Sequence, residues 1–261
     1  MADGILEICC FNLESALIAQ RAGAGRVELC ADAAVGGTTQ SLGTIRAARN
    51  KLHIALYPII RPRGGDFLYD DEEFTIMLAD VMLCKEIGCD GVVIGMLTPH
   101  AMVDKKHCAK LVEMAYPLGV TFHRAFDWTS DPHQALEDII EIGCERILTS
   151  GQRPTAAEGI DLIAELIRQA DSRITIMPGS GVRAANISQL AEKTGAVEFH
   201  SSARIYRHSA MNHMNARMQE SLDHVVADEE EVRHMFSLLP KPVIDSNEDL
   251  PDQSDPANIV I

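Results

Sequence analysis

Cysteine side chains end two of the apolar segments near the start of this chain. Cys9 and Cys10 close the segment 6–10, and Cys30 closes the segment 26–30. Cu(I) accepts thiolate ligands, so cysteines at the ends of neighbouring strands are candidates to share one such ion. Cys9 and Cys30 are candidate ligands of such an ion, with Cys10 as a further candidate. On spacing alone the better-supported interpretation is that these cysteines only pack as small buried side chains.

Glutamates share the strand faces of these cysteines. Side chains alternate along a strand, so Glu7 and Cys9 lie on one face of the first segment, and Glu28 and Cys30 on one face of the second. The opposite faces are apolar and suited to packing against helices. His123 closes another apolar segment, and we predict that it performs acid–base catalysis with Glu7 or Glu28 as its partner carboxylate. A hydrogen-bonded core histidine is an equally good interpretation.

Groups that bind anions follow several other apolar segments. Arginine holds a carboxylate or phosphate through two parallel hydrogen bonds, glycine lets the backbone approach a ligand closely, and hydroxyl groups donate. The loops after the last two strands of a parallel barrel often build a phosphate site. The predicted anion-binding residues are Arg61, Arg63, Asp66, Arg124, Asp127, Thr149, Ser150, Gly179, Gly181, His200 and Ser201.

Structural roles remain open for parts of this set. Arg63 and Asp66 are spaced to pin a tight loop, 179–181 is also a turn signal, and Glu28 with Arg61 is a candidate buried ion pair. Burying so many unpaired ionisable groups as mere packing is too costly, so together they indicate a polar pocket open to a ligand. The side chains predicted to point inward are Glu7, Cys9, Glu28, Cys30, Arg61, Thr121, His123, Thr149, Glu198 and His200.

Repeated strand and helix units must position these residues. Short segments rich in Ile, Val and Leu are each followed by a longer amphipathic stretch, which is typical of a parallel sheet. A doubly wound open sheet is disfavoured, because its glycine-rich fingerprint after the first strand is missing, and no nucleotide cofactor is expected. We therefore predict an α/β fold, a single (β/α)₈ TIM barrel, with strands near 6–10, 26–30, 54–60, 91–95, 120–124, 146–149, 174–177 and 197–200.

The predicted domain covers 1–239, including a last helix at 228–239, and a C-terminal extension follows. Residues 240–261 are acidic and rich in Pro and Asn, a composition typical of a solvated tail. A formal net charge of −15 repels nucleic acid and anionic membranes, so neither is an expected partner. The seven cysteines and the absence of a secretion signal predict reduced thiols in a cytoplasmic protein, and without a CxxC pair a structural zinc site is not expected.

Several long motifs resemble the copper homeostasis protein CutC family from the first predicted strand to the eighth. The resemblance implies a cytoplasmic barrel that forms a homo-oligomer, a dimer or tetramer, with a role in copper homeostasis. It also implies Cu(I) binding at Cys9 and Cys30. The matching segments are 6–9, 26–30, 36–39, 60–67, 121–127, 148–151 and 198–202.

Two functions are therefore open. One is a copper homeostasis protein that binds Cu(I) through Cys9 and Cys30. The other is an enzyme that acts on a small anionic substrate, such as a phosphate ester, at the carboxyl ends of the barrel strands. The second function requires the predicted carboxylates and arginines to converge on a cavity with room for a ligand.

Overall fold

The computed structural model describes residues 4–215 and 217–239, and in this part of the chain strands and helices alternate. Two short 3₁₀ helices, Ala33–Val35 and Arg124–Trp128, follow the second and fifth strands. The eight barrel strands are β1 (Ile5–Cys10), β2 (Arg26–Leu29), β3 (Ala55–Pro58), β4 (Gly91–Ile94), β5 (Gly119–Phe122), β6 (Arg146–Thr149), β7 (Thr175–Pro178) and β8 (Glu198–Ser201). The helices between them are α1 (Leu13–Arg21), α2 (Leu42–Arg49), α3 (Asp71–Ile87), α4 (Lys105–Ala115), α5 (Pro132–Glu141), α6 (Ile160–Ala170) and α7 (Ile187–Thr194).

The strands follow one another around a barrel. Parallel ladders run in the order β3-β2-β1-β8 and β4-β5-β6-β7. The backbone N–H of Ile60 donates to the carbonyl of Val93 at 2.8 Å and joins the β3 side to the β4 side, while β7 packs beside β8. The TIM barrel predicted from the sequence is confirmed, and the carboxyl ends of all the strands lie at one rim.

Alternation along the strands separates an apolar outer layer from a polar interior. Leu6, Ile8, Val27 and Leu29 are completely buried in the main core between strands and helices. Inside the barrel a smaller apolar cluster contains Cys9, Cys30, Tyr57, Ile59 and Val93. Charged side chains occupy the rest of the interior, so the barrel centre is available for chemistry.

Local sequence signals fix the helix ends and make room inside the barrel. Helix α3 begins with a capping box in which Asp70 accepts from the Glu73 N–H and Glu73 accepts from the Asp70 N–H. It ends at Gly88, whose φ of 81° is unfavourable for other residues. Gly91 leaves space for the ring of Tyr57, because a Cβ at this position would lie 2.1 Å from that ring.

Beyond β8 the chain forms a hairpin that the sequence pattern did not predict. Strands β9 (Arg204–Arg207) and β10 (His224–Ala227) pair in antiparallel fashion. The Asn12 side chain donates to the carbonyl of Val225 at 2.7 Å and ties the hairpin to the start of α1. Helix α8 (Glu229–Ser237) then packs on the barrel, within the predicted range 228–239.

The predicted acidic tail, 240–261, lies outside the described residues. Among the helices of the described chain, none combines the length and apolar composition needed to cross a bilayer.

Candidate functional site

A network of buried charges occupies the barrel interior near the beginnings of the strands. Glu198 Oε2 accepts hydrogen bonds from Arg26 Nη2 at 2.5 Å and from Arg146 Nε at 2.5 Å. Arg26 Nε also donates to Glu7. Both guanidinium groups lie over the Tyr57 ring, with centroid distances of 5.3 and 5.8 Å. Each buried charge is therefore paired, as the cost of removing it from water requires.

Glu7 links this network to a histidine at the next level of the barrel. Glu7 Oε1 accepts from His200 Nδ1 at 2.7 Å. Burial alone would raise the pKa of Glu7, but the charges of Arg26 and His200 lower it to about 2. Burial alone would lower the pKa of His200, but hydrogen bonds to Cys9 and Glu7 raise it well above its usual value. The ionised carboxylate therefore fixes both the orientation and the charge of the imidazole.

Two thiols and a carboxyl group meet above this pair. Cys9 Sγ and Cys30 Sγ are 3.6 Å apart. Donor atoms of Cys9, Cys30 and Glu28 all lie within 4.8 Å of one another, and Glu28 Oε2 is 3.7 Å from His200 Nε2. All four side chains are buried, so the interactions between them are little screened by water.

The protonation of this cluster follows from its hydrogen bonds and burial. The hydrogen bond with Cys30, together with His200 and Glu28, lowers the pKa of Cys9 to about 5. Burial raises the pKa of Cys30, and the neighbouring Cys9 sulfur raises it further. Burial likewise raises the pKa of Glu28, as does the charge on Cys9. Hydrogen bonds and burial therefore favour the thiolate form of Cys9 over that of Cys30.

Above the cluster a cavity of about 1040 Å³ opens at the carboxyl ends of the strands. Cys9, Glu28 and His200 form part of its lining. Its size is close to the upper limit of the range for cavities that hold small molecules. Cys9 therefore borders a cavity that is open to solvent.

Arg61 lines this cavity, but its guanidinium donates its hydrogen bonds to backbone carbonyls of the surrounding loops. Its Nη1 donates to the carbonyls of Val35 at 2.8 Å and Gly37 at 2.7 Å, and its Nη2 donates to that of Gly65 at 2.8 Å. It pairs neither with Glu28, the predicted buried ion-pair partner, nor with any other carboxylate of the described chain. Only Nε of this guanidinium lacks a partner there.

The structure places Arg63 away from the cavity lining, and its role as an anion ligand stays a prediction. Its Nη1 is 3.0 Å from Asp66 Oδ1, and its Nε is 2.5 Å from Glu73 Oε1. The pair therefore pins the loop in the way the spacing also suggested. Asp66 does line the cavity, at its exposed edge.

Asp127 organises a second predicted group. It accepts from Thr149 Oγ1 at 2.5 Å and from the Ser150 N–H at 3.0 Å, and it pairs with Arg124 Nε at 2.8 Å. These groups satisfy one another, and of the four only Arg124 lines the cavity. The predicted inward orientation of Thr149 is wrong, because Arg146 and Leu148 are the residues of β6 that face inward.

His123 does not meet the carboxylates predicted as its partners. Its Nδ1 accepts from the Ala125 N–H at 3.1 Å, and within the described chain its Nε2 has no partner. Burial lowers the pKa of His123 to about 3, with the charge of Arg61 contributing. The imidazole is therefore neutral, carries its proton on Nε2, and lies in the cavity wall.

The loops after β7 and β8 form the opposite side of the cavity. Gly181 lines it with a φ of 73°, and Ser201 lines it while its hydroxyl donates to the carbonyl of Val182 at 2.7 Å. Gly179 lies behind the lining, where a Cβ would meet Leu148 at 2.4 Å. Cys10 also lies elsewhere: strand alternation turns it away from Cys9 into the outer core, so it does not join the two thiols.

Sequence reasoning missed the two arginines of the charge network. Arg26 shares the face of Glu28 and Cys30, so alternation was a sufficient signal for it. Arg146 begins β6 next to Glu145, and an arginine at a strand start is typical of a solvated end. Its pairing with Glu198 joins strands that are distant in the sequence, and no local pattern reveals that contact.

The fold and the site together define a TIM-barrel protein with a thiol-containing cavity at the carboxyl rim. The sequence profile of the CutC family matches residues 4–205, and the chain belongs to that family. A CutC family protein of Chromobacterium violaceum is 53% identical over 211 residues, covering 81% of this chain and 85% of the relative. A mouse protein named copper homeostasis protein cutC homolog is 47% identical over 222 residues, covering 84% and 82%.

Solved structures agree with this assignment. A CutC protein from Streptococcus agalactiae has a TM-score of 0.73 at 36% identity, covering 76% of this chain and 98% of that one. A phosphoribosylanthranilate isomerase from Thermotoga maritima has a TM-score of 0.55 at 13% identity, covering 90% of this chain and 98% of that one. The second likeness shows the barrel fold alone.

Proposed function

We propose that this chain participates in copper homeostasis by binding Cu(I), as cargo, through Cys9 and Cys30. The observation that carries the proposal is the 3.6 Å separation of the two sulfur atoms beside a cavity. Two sulfurs that each lie about 2.3 Å from one ion are at most about 4.6 Å apart, so this pair has a suitable spacing. The names of the mouse and human relatives, copper homeostasis protein cutC homolog, support the same function.

The surrounding groups suit a soft cation. The lowered pKa of Cys9 favours its thiolate form, and thiolates favour Cu(I) over harder ions. The positive charge of His200 is balanced by Glu7, and Glu28 adds an oxygen donor next to the sulfurs. Binding through both cysteines displaces the proton of Cys30, so we expect Cu(I) affinity to rise with pH.

We also propose a cytoplasmic location and a homo-oligomeric state. All seven cysteines are buried and none forms a disulfide bond, which fits a reducing compartment. The dimer or tetramer is inferred from the family resemblance, and light scattering after size-exclusion chromatography tests it. A mass at the monomer value across the micromolar range contradicts the oligomer.

An anaerobic Cu(I) titration against a competing chelator tests the copper proposal. We expect Cys9→Ser and Cys30→Ser each to weaken binding by at least tenfold, because each removes a sulfur ligand. Cys10→Ser is the matched control, since Cys10 is equally buried but faces the outer core. Binding that survives both ligand substitutions, or that falls equally in the control, contradicts the proposal.

A further inference from the structure

The cavity lining is more positive than the chain as a whole. The protein has a formal net charge of −15. The lining nevertheless contains only the carboxylates Glu28 and Asp66, of which Asp66 is paired with Arg63. The lining also contains four arginines, which are Arg61, Arg124, Arg183 and Arg204. An acidic protein that gathers cations around one cavity attracts anions to it.

The guanidinium groups of two of these arginines have neither a carboxylate partner nor a short hydrogen bond in the described chain. Arg183 Nη2 is 3.5 Å from the carbonyl of Arg204, and Arg204 Nη1 is 3.4 Å from the carbonyl of Ala33. Both contacts are long, and neither guanidinium pairs with a carboxylate anywhere in 4–215 or 217–239. Arg61 and Arg124, by contrast, are committed to loop carbonyls and to Asp127.

Free backbone donors lie beside these arginines. The N–H groups of Ser180, Gly181 and Ser202 make no hydrogen bond to another described residue. Ser180 and Gly181 both have positive φ, 71° and 73°, and all three residues line the cavity. Backbone N–H groups after the last two strands of a TIM barrel are a recurrent means of holding phosphate.

The other side of the cavity offers apolar surface and one more donor. Phe67, Leu97 and Trp128 line it, and Trp128 is 70% exposed. His123, 3% exposed, presents an N–H on Nε2 that has no partner in the described chain. A buried donor without a partner is costly, so an acceptor on a bound molecule would satisfy it.

We propose that the cavity binds a small organic phosphate. Its phosphate group lies between Arg183, Arg204 and the free N–H groups of the β7 and β8 loops. Its apolar body lies against Trp128 and Leu97, with an oxygen accepting from His123 Nε2. The proposal goes beyond Cu(I) binding and does not depend on it, because none of these groups is Cys9 or Cys30.

Fluorescence of Trp128 gives a direct test, because it is the single tryptophan of the chain. The metal-free protein is titrated with phenyl phosphate, inorganic phosphate and phenol at constant ionic strength, and calorimetry repeats each titration. We expect saturable binding of phenyl phosphate, weaker binding of inorganic phosphate and none of phenol. Arg183→Gln and Arg204→Gln should each raise the Kd for phenyl phosphate about tenfold, the range for losing a charge-assisted hydrogen bond.

Arg233→Gln is the control, since Arg233 is exposed on α8, pairs with Glu229 and lies outside the cavity lining. It should leave the Kd unchanged. Equal binding of phenol and phenyl phosphate, or no effect of the Arg183 and Arg204 substitutions, overturns the anion site. Absence of phosphate binding in a protein that still binds Cu(I) overturns this inference alone. Loss of phosphate binding in Arg183→Gln with unchanged Cu(I) affinity supports two separate sites.

Discussion

At the scale of single residues, Glu7 connects the buried charges to the thiols. It accepts hydrogen bonds from Arg26 on one side and from His200 on the other. His200 in turn lies against Cys9 and Glu28, so the charge on Glu7 influences the Cys9 thiolate indirectly. A neutral residue of the same shape at this position would leave two buried cations without their shared counter-ion.

Glu7→Gln should therefore lower the free energy of unfolding at pH 7 by on the order of 3 kcal/mol. The pKa of Glu7 is about 2 in the folded chain against 4.5 as its ordinary value, and a depressed pKa stabilises the fold above the unfolded value. This stability is lost as the pH falls from about 4.5 towards 2. Urea unfolding at pH 7, 4 and 3 measures it.

The control for this experiment is Glu86→Gln, an exposed carboxylate near the end of α3. It should change the free energy of unfolding by less than about 0.5 kcal/mol. A Glu7→Gln protein as stable as the wild type at pH 7 contradicts the role assigned to the carboxylate.

Most of the inward-facing residues were predicted from the alternation of side chains along the strands. Because β1 and β2 are parallel neighbours in which Cys9 pairs with Glu28, side chains of one parity converge inside the barrel. Alternation also holds at β6, but the wrong parity was chosen there: the polar Thr149 was assigned inward and Arg146 was overlooked. The contacts of long side chains could not be predicted from the sequence either. Arg61 donates to loop carbonyls, and Arg63 pairs with nearby acidic residues.

At the scale of elements, the β9–β10 hairpin packs against α1. Asn12 is the anchor, because its Oδ1 caps α1 through the Ser15 N–H at 2.8 Å and its Nδ2 donates to the Val225 carbonyl at 2.7 Å. Ser15 Oγ also accepts from the Ala227 N–H at 3.1 Å. The sequence gives little sign of this hairpin, since its strands are short and separated by a long polar segment.

Asn12→Ala should destabilise the protein by about 1–2 kcal/mol, since it removes a helix cap and a partly buried hydrogen bond at once. Asn12→Asp is the informative companion, because it keeps the cap but cannot donate to Val225. We expect an intermediate loss for it. Equal stability of all three proteins in thermal unfolding would contradict the anchoring role.

At the scale of the whole molecule, one barrel rim unites features that come from distant parts of the chain. The thiols come from β1 and the end of β2, His200 from β8, Arg183 from the loop after β7, and Arg204 from the start of β9. Recurrent strand and helix patterns made the fold predictable. The convergence of the loops at the rim was not predictable from the sequence, because it depends on how separate loops pack across the barrel.

We propose that the two sulfurs of Cys9 and Cys30 hold one Cu(I) ion. X-ray absorption at the copper edge, on the full chain loaded anaerobically with one equivalent of Cu(I), measures the ligands directly. We predict two sulfur scatterers at about 2.3 Å, the scale of metal–thiolate bonds, one sulfur fewer in Cys30→Ser, and no change in Cys10→Ser. A first shell of nitrogen and oxygen alone, or a shell unaffected by Cys30→Ser, would contradict it.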